Sequence, residues 1–254
     1  MTRLTLALLP FLLAAVAQAE PCELTGQTTE PIPEAKLFIE NNAGDGDMGV
    51  HGQFDSHGWQ ELCLFDPAGD MIVHVSPERS FRDLGLSGVF WESVEPVYGD
   101  WGYDDLKTDF PEGEYGVRAV GLDGTMQVGT ARFTTVVPSM PVITAPTTVP
   151  DAMSPGMPMI PVSDMEVTWL PVTTSVDGRP VDIVAFQLTV VKENHTDPDA
   201  TSRPAFSVHL SGDATGFTVP ASFFDTNSLY ELEVLAIERS GNRTIGGASF
   251  FRTE

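Results

Sequence analysis

From residue 36 onward, apolar side chains alternate with polar ones in short runs, and Gly, Pro, Asn and Asp separate the runs. A period of two puts one face of each run indoors as a strand, whereas an amphipathic helix needs apolar residues three and four apart. Many short strands with frequent turns predict an all-β chain built of sandwiches. In the first half the expected strands are Lys36 to Glu40, Gly49 to Phe54, Gln60 to Phe65, Met71 to Val75, Glu114 to Val120 and Gln127 to Val136. Asp66-Pro67-Ala68-Gly69-Asp70 and Leu122-Asp123-Gly124-Thr125 supply hairpin turns. The connection from Val75 to Glu114 is long for a small sandwich. Within it only Phe81 to Trp91 and Tyr103 to Phe110 suit short helices.

The prolines of Pro138-Ser139-Met140-Pro141 mark an interdomain joint, and the Pro-rich stretch from Pro146 to Pro161 an extended edge, since proline cannot serve a central strand. Two β-sandwich domains in tandem follow, residues 36–138 and 139–254, the first carrying the short-helix insertion. Each has the size of an ordinary domain.

Ahead of them, Met1-Thr2-Arg3, the apolar stretch Leu4 to Val16 and Ala17-Gln18-Ala19 form an export signal, residues 1–19, with cleavage expected between Ala19 and Glu20. Residues 20–35, with Pro21, Pro31 and Pro33, read as an extended tail. No small residue directly precedes Cys22, so a lipid anchor is not expected. The mature chain is placed free in the periplasm or outside the cell, where disulfides form. Its two cysteines, Cys22 and Cys63, are expected to bridge and pin the tail. In Trp59 to Phe65, Leu62 and Leu64 share the inward face, which turns Cys63 outward to meet that tail.

Thirteen basic side chains against 36 acidic ones give a net charge of −23. Such a surface repels phosphate backbones and excludes nucleic acid as a partner. After the signal, no apolar run is long enough to span a bilayer. The acidity is lopsided, net −16 over residues 20–138 and −8 over 139–254.

Two aromatic positions characterise the second domain. Trp169 lies early in it, and Tyr230 opens a Y-x-L-x-V-x-A strand with its hydroxyl free to bond the preceding corner. With Phe186 in the expected third strand, residues 139–252 resemble the fibronectin type III fold. The Arg-Gly-Asp adhesion tripeptide is missing; Asp177-Gly178-Arg179 runs in the reverse order. Phe90-Trp91-Glu92, Glu95-Pro96, Phe110 to Tyr115, Gly129-Thr130 and Ser240-Gly241-Asn242 also make the chain similar to bacterial exported proteins of unknown function that carry such a domain C-terminally. That likeness implies architecture and localisation and nothing of activity.

Chemistry-bearing motifs are scarce. There is no phosphate loop, dinucleotide fingerprint, nucleophile elbow or H-E-x-x-H helix, which points to a non-enzymatic protein without a required cofactor. His51 and His57 flank Asp55, a set able to hold zinc, but an expected turn at Asp55-Ser56 fixes no third ligand. Asp45, Asp47 and Asp55 form an acidic group with some claim to calcium, though without the D-x-D-x-D-G loop. The insertion is the most individual feature: Trp91, Tyr98, Trp101 and Tyr103 stand beside Asp104 and Asp105. Aromatic area with carboxylate acceptors suits a basic partner protein or, alternatively, a cell-envelope glycan bound with or without calcium. The plainer expectation is that Phe90 and Trp91 plug the domain core.

Overall fold

The computed structural model describes residues 21–23, 28–195, 203–247 and 249–254; the expected signal peptide, residues 1–19, lies outside them. The first domain contains β1 (Thr29–Pro31), β2 (Glu34–Asn42), β3 (Asp47–Phe65), β4 (Met71–Val75), α1 (Ser80–Leu84), β5 (Leu86–Glu92), α2 (Tyr103–Asp109), β6 (Gly113–Gly121) and β7 (Met126–Phe133). One strand, β3, serves both sheets of the sandwich. Its first half pairs with β2 and β5, its second half with β4 and β6. Between the sheets lie Phe54, Trp59, Leu62, Leu64, Tyr115 and Phe133, all fully buried.

The continuity of β3 corrects the expected turn at Asp55-Ser56. Ser-His-Gly has turn composition, yet its polar groups are met from the side. The Ser56 hydroxyl bonds Gln127 Oε1, and Gln127 Nε2 donates to the His57 carbonyl at 2.7 Å. With those groups satisfied in the interior, the chain bends from one sheet into the other instead of reversing. The second correction concerns Phe81 to Trp91. Only α1 is helical there, and Leu86–Glu92 is a strand on the open edge of β3. Strand geometry sends neighbouring side chains to opposite faces, so Trp91 packs on the core while Phe90 is 57% exposed and plugs nothing.

The segment read as a tail is joined to the domain. β1 pairs in parallel with β7, and Ile32 enters the core. The Cys22–Cys63 disulfide is formed, Cys63 standing on the outer face of β3 opposite Leu62 and Leu64. Cys22 N donates to Glu61 Oε2 beside it, at 3.3 Å.

The second domain comprises β8 (Ile143–Ala145), β9 (Met159–Ile160), β10 (Met165–Trp169), β11 (Ile183–Lys192), β12 (Ala205–Ser211), β13 (Gly216–Val219), β14 (Leu229–Glu238), β15 (Arg243–Ile245) and β16 (Ser249–Thr253). One sheet runs β8–β10–β13; the other runs β12–β11–β14, with β15 and β16 sharing the far side of β14. This is a fibronectin type III-like sandwich. Trp169 is buried against Phe186 with ring centroids 5.5 Å apart, and the Tyr230 hydroxyl accepts from Asp225 N at 2.8 Å to close the corner. Between β15 and β16, Gly246 N still bonds Val234 O at 2.8 Å, and pairing with β14 resumes at Ser249.

The domains meet through a shared sheet. β15 pairs in parallel with β2, so the pairing runs without a break from the first domain into β14 and β11. Behind this ladder Asn242 is wholly buried. Its Nδ2 donates to the carbonyls of Thr134 (2.8 Å) and Val136 (3.0 Å), while its Oδ1 accepts from Ile39 N (2.8 Å). Thr244 Oγ1 donates to Pro138 O at 2.6 Å. Two chain segments and the joint itself are thus tied through one asparagine and one threonine.

Candidate functional site

Because β3 splits between the sheets, β4 and β5 are the open edges of the two layers, and the connection 93–112 fills the mouth between them. Two adjoining cavities of about 420 Å³ each remain there, meeting at Asp109 and Phe110. Trp101, Asp100 and the exposed Val94 line the outer one. The inner one is lined by Trp91, Tyr115, Ile72 and Asp66. Trp101 is oriented by a hydrogen bond from its Nε1 to Asp109 Oδ2 (2.9 Å) and meets Phe110 edge-on at 86°. Tyr115 donates to Pro111 O at 3.0 Å, and burial followed by the nearby Asp66 raises its pKa to about 12, so it stays a neutral phenol. Among the described residues, no cation lies within ion-pair distance of Asp66, Asp100 or Asp109. The groove is therefore apolar on its walls and uncompensated negative along its length.

The sequence-derived site residues are divided by the fold. Trp91 and Trp101 reach the groove. Tyr98 and Tyr103 line a separate recess at the domain junction, with Asn41, Met48 and Val176. There the Tyr98 hydroxyl donates to Asn41 Oδ1 (2.6 Å), and Tyr103 bonds the Thr135 carbonyl while accepting from Arg179 Nη2 (3.0 Å). Tyr103 is therefore a clamp between domains. Asp105 accepts from Gly102 N at 2.9 Å and caps α2, and Asp104 is a solvent-facing partner of Lys107 at 2.6 Å. A helix of seven residues needs such a cap to hold its first turn.

The acidic group considered for calcium is not assembled. Asp47 and Asp55 lie on one continuous strand, roughly 26 Å apart at about 3.3 Å per residue, and Asp55 is exposed. Asp45 is engaged with Asn42 in the β2–β3 turn. His57, also on β3, is exposed and remote from the buried His51. Among the described residues, the grouping the fold creates is Glu40, His51 and Glu95, from β2, β3 and the loop after β5. Nothing local in sequence announces it, since Glu95 lies 44 positions from His51.

No family model matches the chain, and no curated protein matches it. Among solved structures, it is similar to the chicken CNTN1 FN1–FN3 domains, at 10% identity and a TM-score of 0.37, covering 90% of this chain and 65% of that one. A two-domain fibronectin type III segment of chicken tenascin shares 9% identity at a TM-score of 0.30, over 86% and 99% of the two chains. The fibronectin(III)-like modules of Clostridium thermocellum CbhA share 13% at 0.28, over 87% and 92%.

Proposed function

We propose that the chain is a non-enzymatic exported binding protein whose first domain receives a basic segment of a partner protein in the groove between β4 and β5. The single observation that carries this reading is the row of carboxylates, Asp66, Asp100 and Asp109, left without cations along an aromatic groove. Lysine or arginine side chains of a partner neutralise that row, and their alkyl stems pack on Trp101 and Phe110. The acidity of the domain steers such a partner from a distance. A signal-like start and a disulfide agree with export. The described histidine bonds, His51 to Glu95 and His74 to Glu61, pair imidazole with carboxylate and activate no nucleophile. A glycan has less support, because Trp101 and Phe110 meet edge-on and offer no flat platform.

The test is cross-linking capture from the host's envelope with the full mature chain, since the shared sheet forbids testing the domains apart. Asp100→Lys with Val94→Lys places two positive charges at exposed groove positions, where they repel a basic segment. Retention of one basic protein by the parent chain, lost at least about tenfold in the variant, is the expected result. Equal retention by both removes the groove from the interface.

A further inference from the structure

We propose that Glu40, His51 and Glu95 bind a divalent transition-metal ion, for which zinc is the probe. One ligand atom from each residue lies within 4.8 Å of the others. An imidazole nitrogen with two carboxylate oxygens is a donor set of the zinc kind; calcium asks for six or more oxygens and no imidazole.

The imidazole and the Glu95 carboxylate are held in place before any ion arrives, with Glu40 on the Nδ1 side of the ring. His51 is 3% exposed, its ring set between Phe38 (centroids 5.4 Å) and Phe90 (5.8 Å). Its Nε2 is 3.1 Å from Glu95 Oε1, and its Nδ1 is 4.0 Å from Glu40 Oε2. Glu95 can lie against the sheet because the residue beneath it is Gly49; a Cβ there would stand 2.8 Å from Glu95 Cγ. The loop carrying Glu95 is anchored by Ser93 Oγ, which accepts from Val50 N at 3.0 Å. Glu40 is opposite Arg243 across the joint, and that guanidinium sits 4.0 Å from the Phe38 ring. Exposed Phe90 thus has a role after all, as one wall of the imidazole slot.

Charge favours a cation in the same place. Glu92, directly opposite His51 in the β3–β5 ladder, adds a third carboxylate to this face, and Arg243 is the cation that faces Glu40. A divalent ion relieves the repulsion among these groups more than one arginine does. The inference does not rest on the groove, although Ser93, Val94 and Pro96, which flank Glu95, line its outer cavity.

The chelator-stripped mature chain is titrated with zinc against a chromophoric chelator, and separately with cobalt, whose visible spectrum reports four-coordinate nitrogen and oxygen ligation. One ion per chain is expected. Glu95→Gln, and Gly49→Ala, which removes the seat of Glu95 while leaving every donor, should each weaken zinc by more than about tenfold, the loss typical even of an outer partner. Asp104→Asn, on the exposed face of α2, should leave affinity unchanged. His51→Ala should abolish the cobalt spectrum, with circular dichroism checking the fold. Binding that is absent, or that Glu95→Gln and Gly49→Ala leave intact, overturns the site and identifies any retained zinc as adventitious to an acidic surface.

Discussion

Glu233 on β14 offers a test of how much repulsion the shared sheet stores. Burial raises its pKa from 4.5 to about 7, helped by Glu231 on the same strand, Glu40 on β2, Asp45 in the β2–β3 turn and Glu193 after β11. Between those two values the folded chain holds a proton that the unfolded chain has released. Stability therefore is highest below pH 4.5 as far as this group is concerned, falls through the window, and has lost the full amount above pH 7. At about 1.4 kcal/mol per pH unit, the interval from 4.5 to about 7 amounts to a loss of about 3.5 kcal/mol. The side chain is partly exposed, and solvent screening brings the expectation to about 2 kcal/mol. Glu233→Gln removes the ionisation and should match the parent at pH 4 while exceeding it by about 2 kcal/mol at pH 8, or about 4 to 8 °C in Tm for a chain of this size. Urea unfolding at low salt, with chelator present, measures both. Parallel pH profiles for parent and variant between pH 4.5 and 7.5 would refute the reasoning, as would a variant less stable at pH 8.

Two further outcomes concern the joint and the tail. Asn242→Ala leaves Ile39 N–H and two buried carbonyls unpaired, and should cost about 2 to 4 kcal/mol; small-angle scattering should show the two domains reorienting, and an unchanged scattering curve would mean that the β2–β15 ladder alone fixes them. Replacing Cys22 and Cys63 together by alanine opens a loop with a sequence separation of 41, worth about 4 kcal/mol in the chain-entropy picture. Denaturation of the double variant should match the reduced parent, and no loss would show that β1 and Ile32 suffice to hold the segment.

Much of the second domain can be read from its residues because the signals are local. Alternation names the inward face of β10, β11 and β14, and Trp169 and Tyr230 occupy positions that only a sandwich core and its corner require. Cys63 likewise follows from the inward pair Leu62 and Leu64 on its own strand. The same reasoning misplaced the middle of β3, because Ser56 and His57 look like a turn until Gln127, about 70 positions away, supplies their partners. It gathered Tyr98 and Tyr103 with Trp91 and Trp101, although the former pair belongs to the joint and the latter to the groove.

A period of two determines which face of a strand is buried, so the all-β class, the outward cysteine and the aromatic core were set by the sequence alone. Which strand lies beside which is decided by register between distant segments, and alternation carries no record of it. The pairing of β15 with β2, the mouth between β4 and β5, and the meeting of Glu40, His51 and Glu95 exist only once those registers are chosen, since each joins side chains whose proximity is a property of the packed sheets.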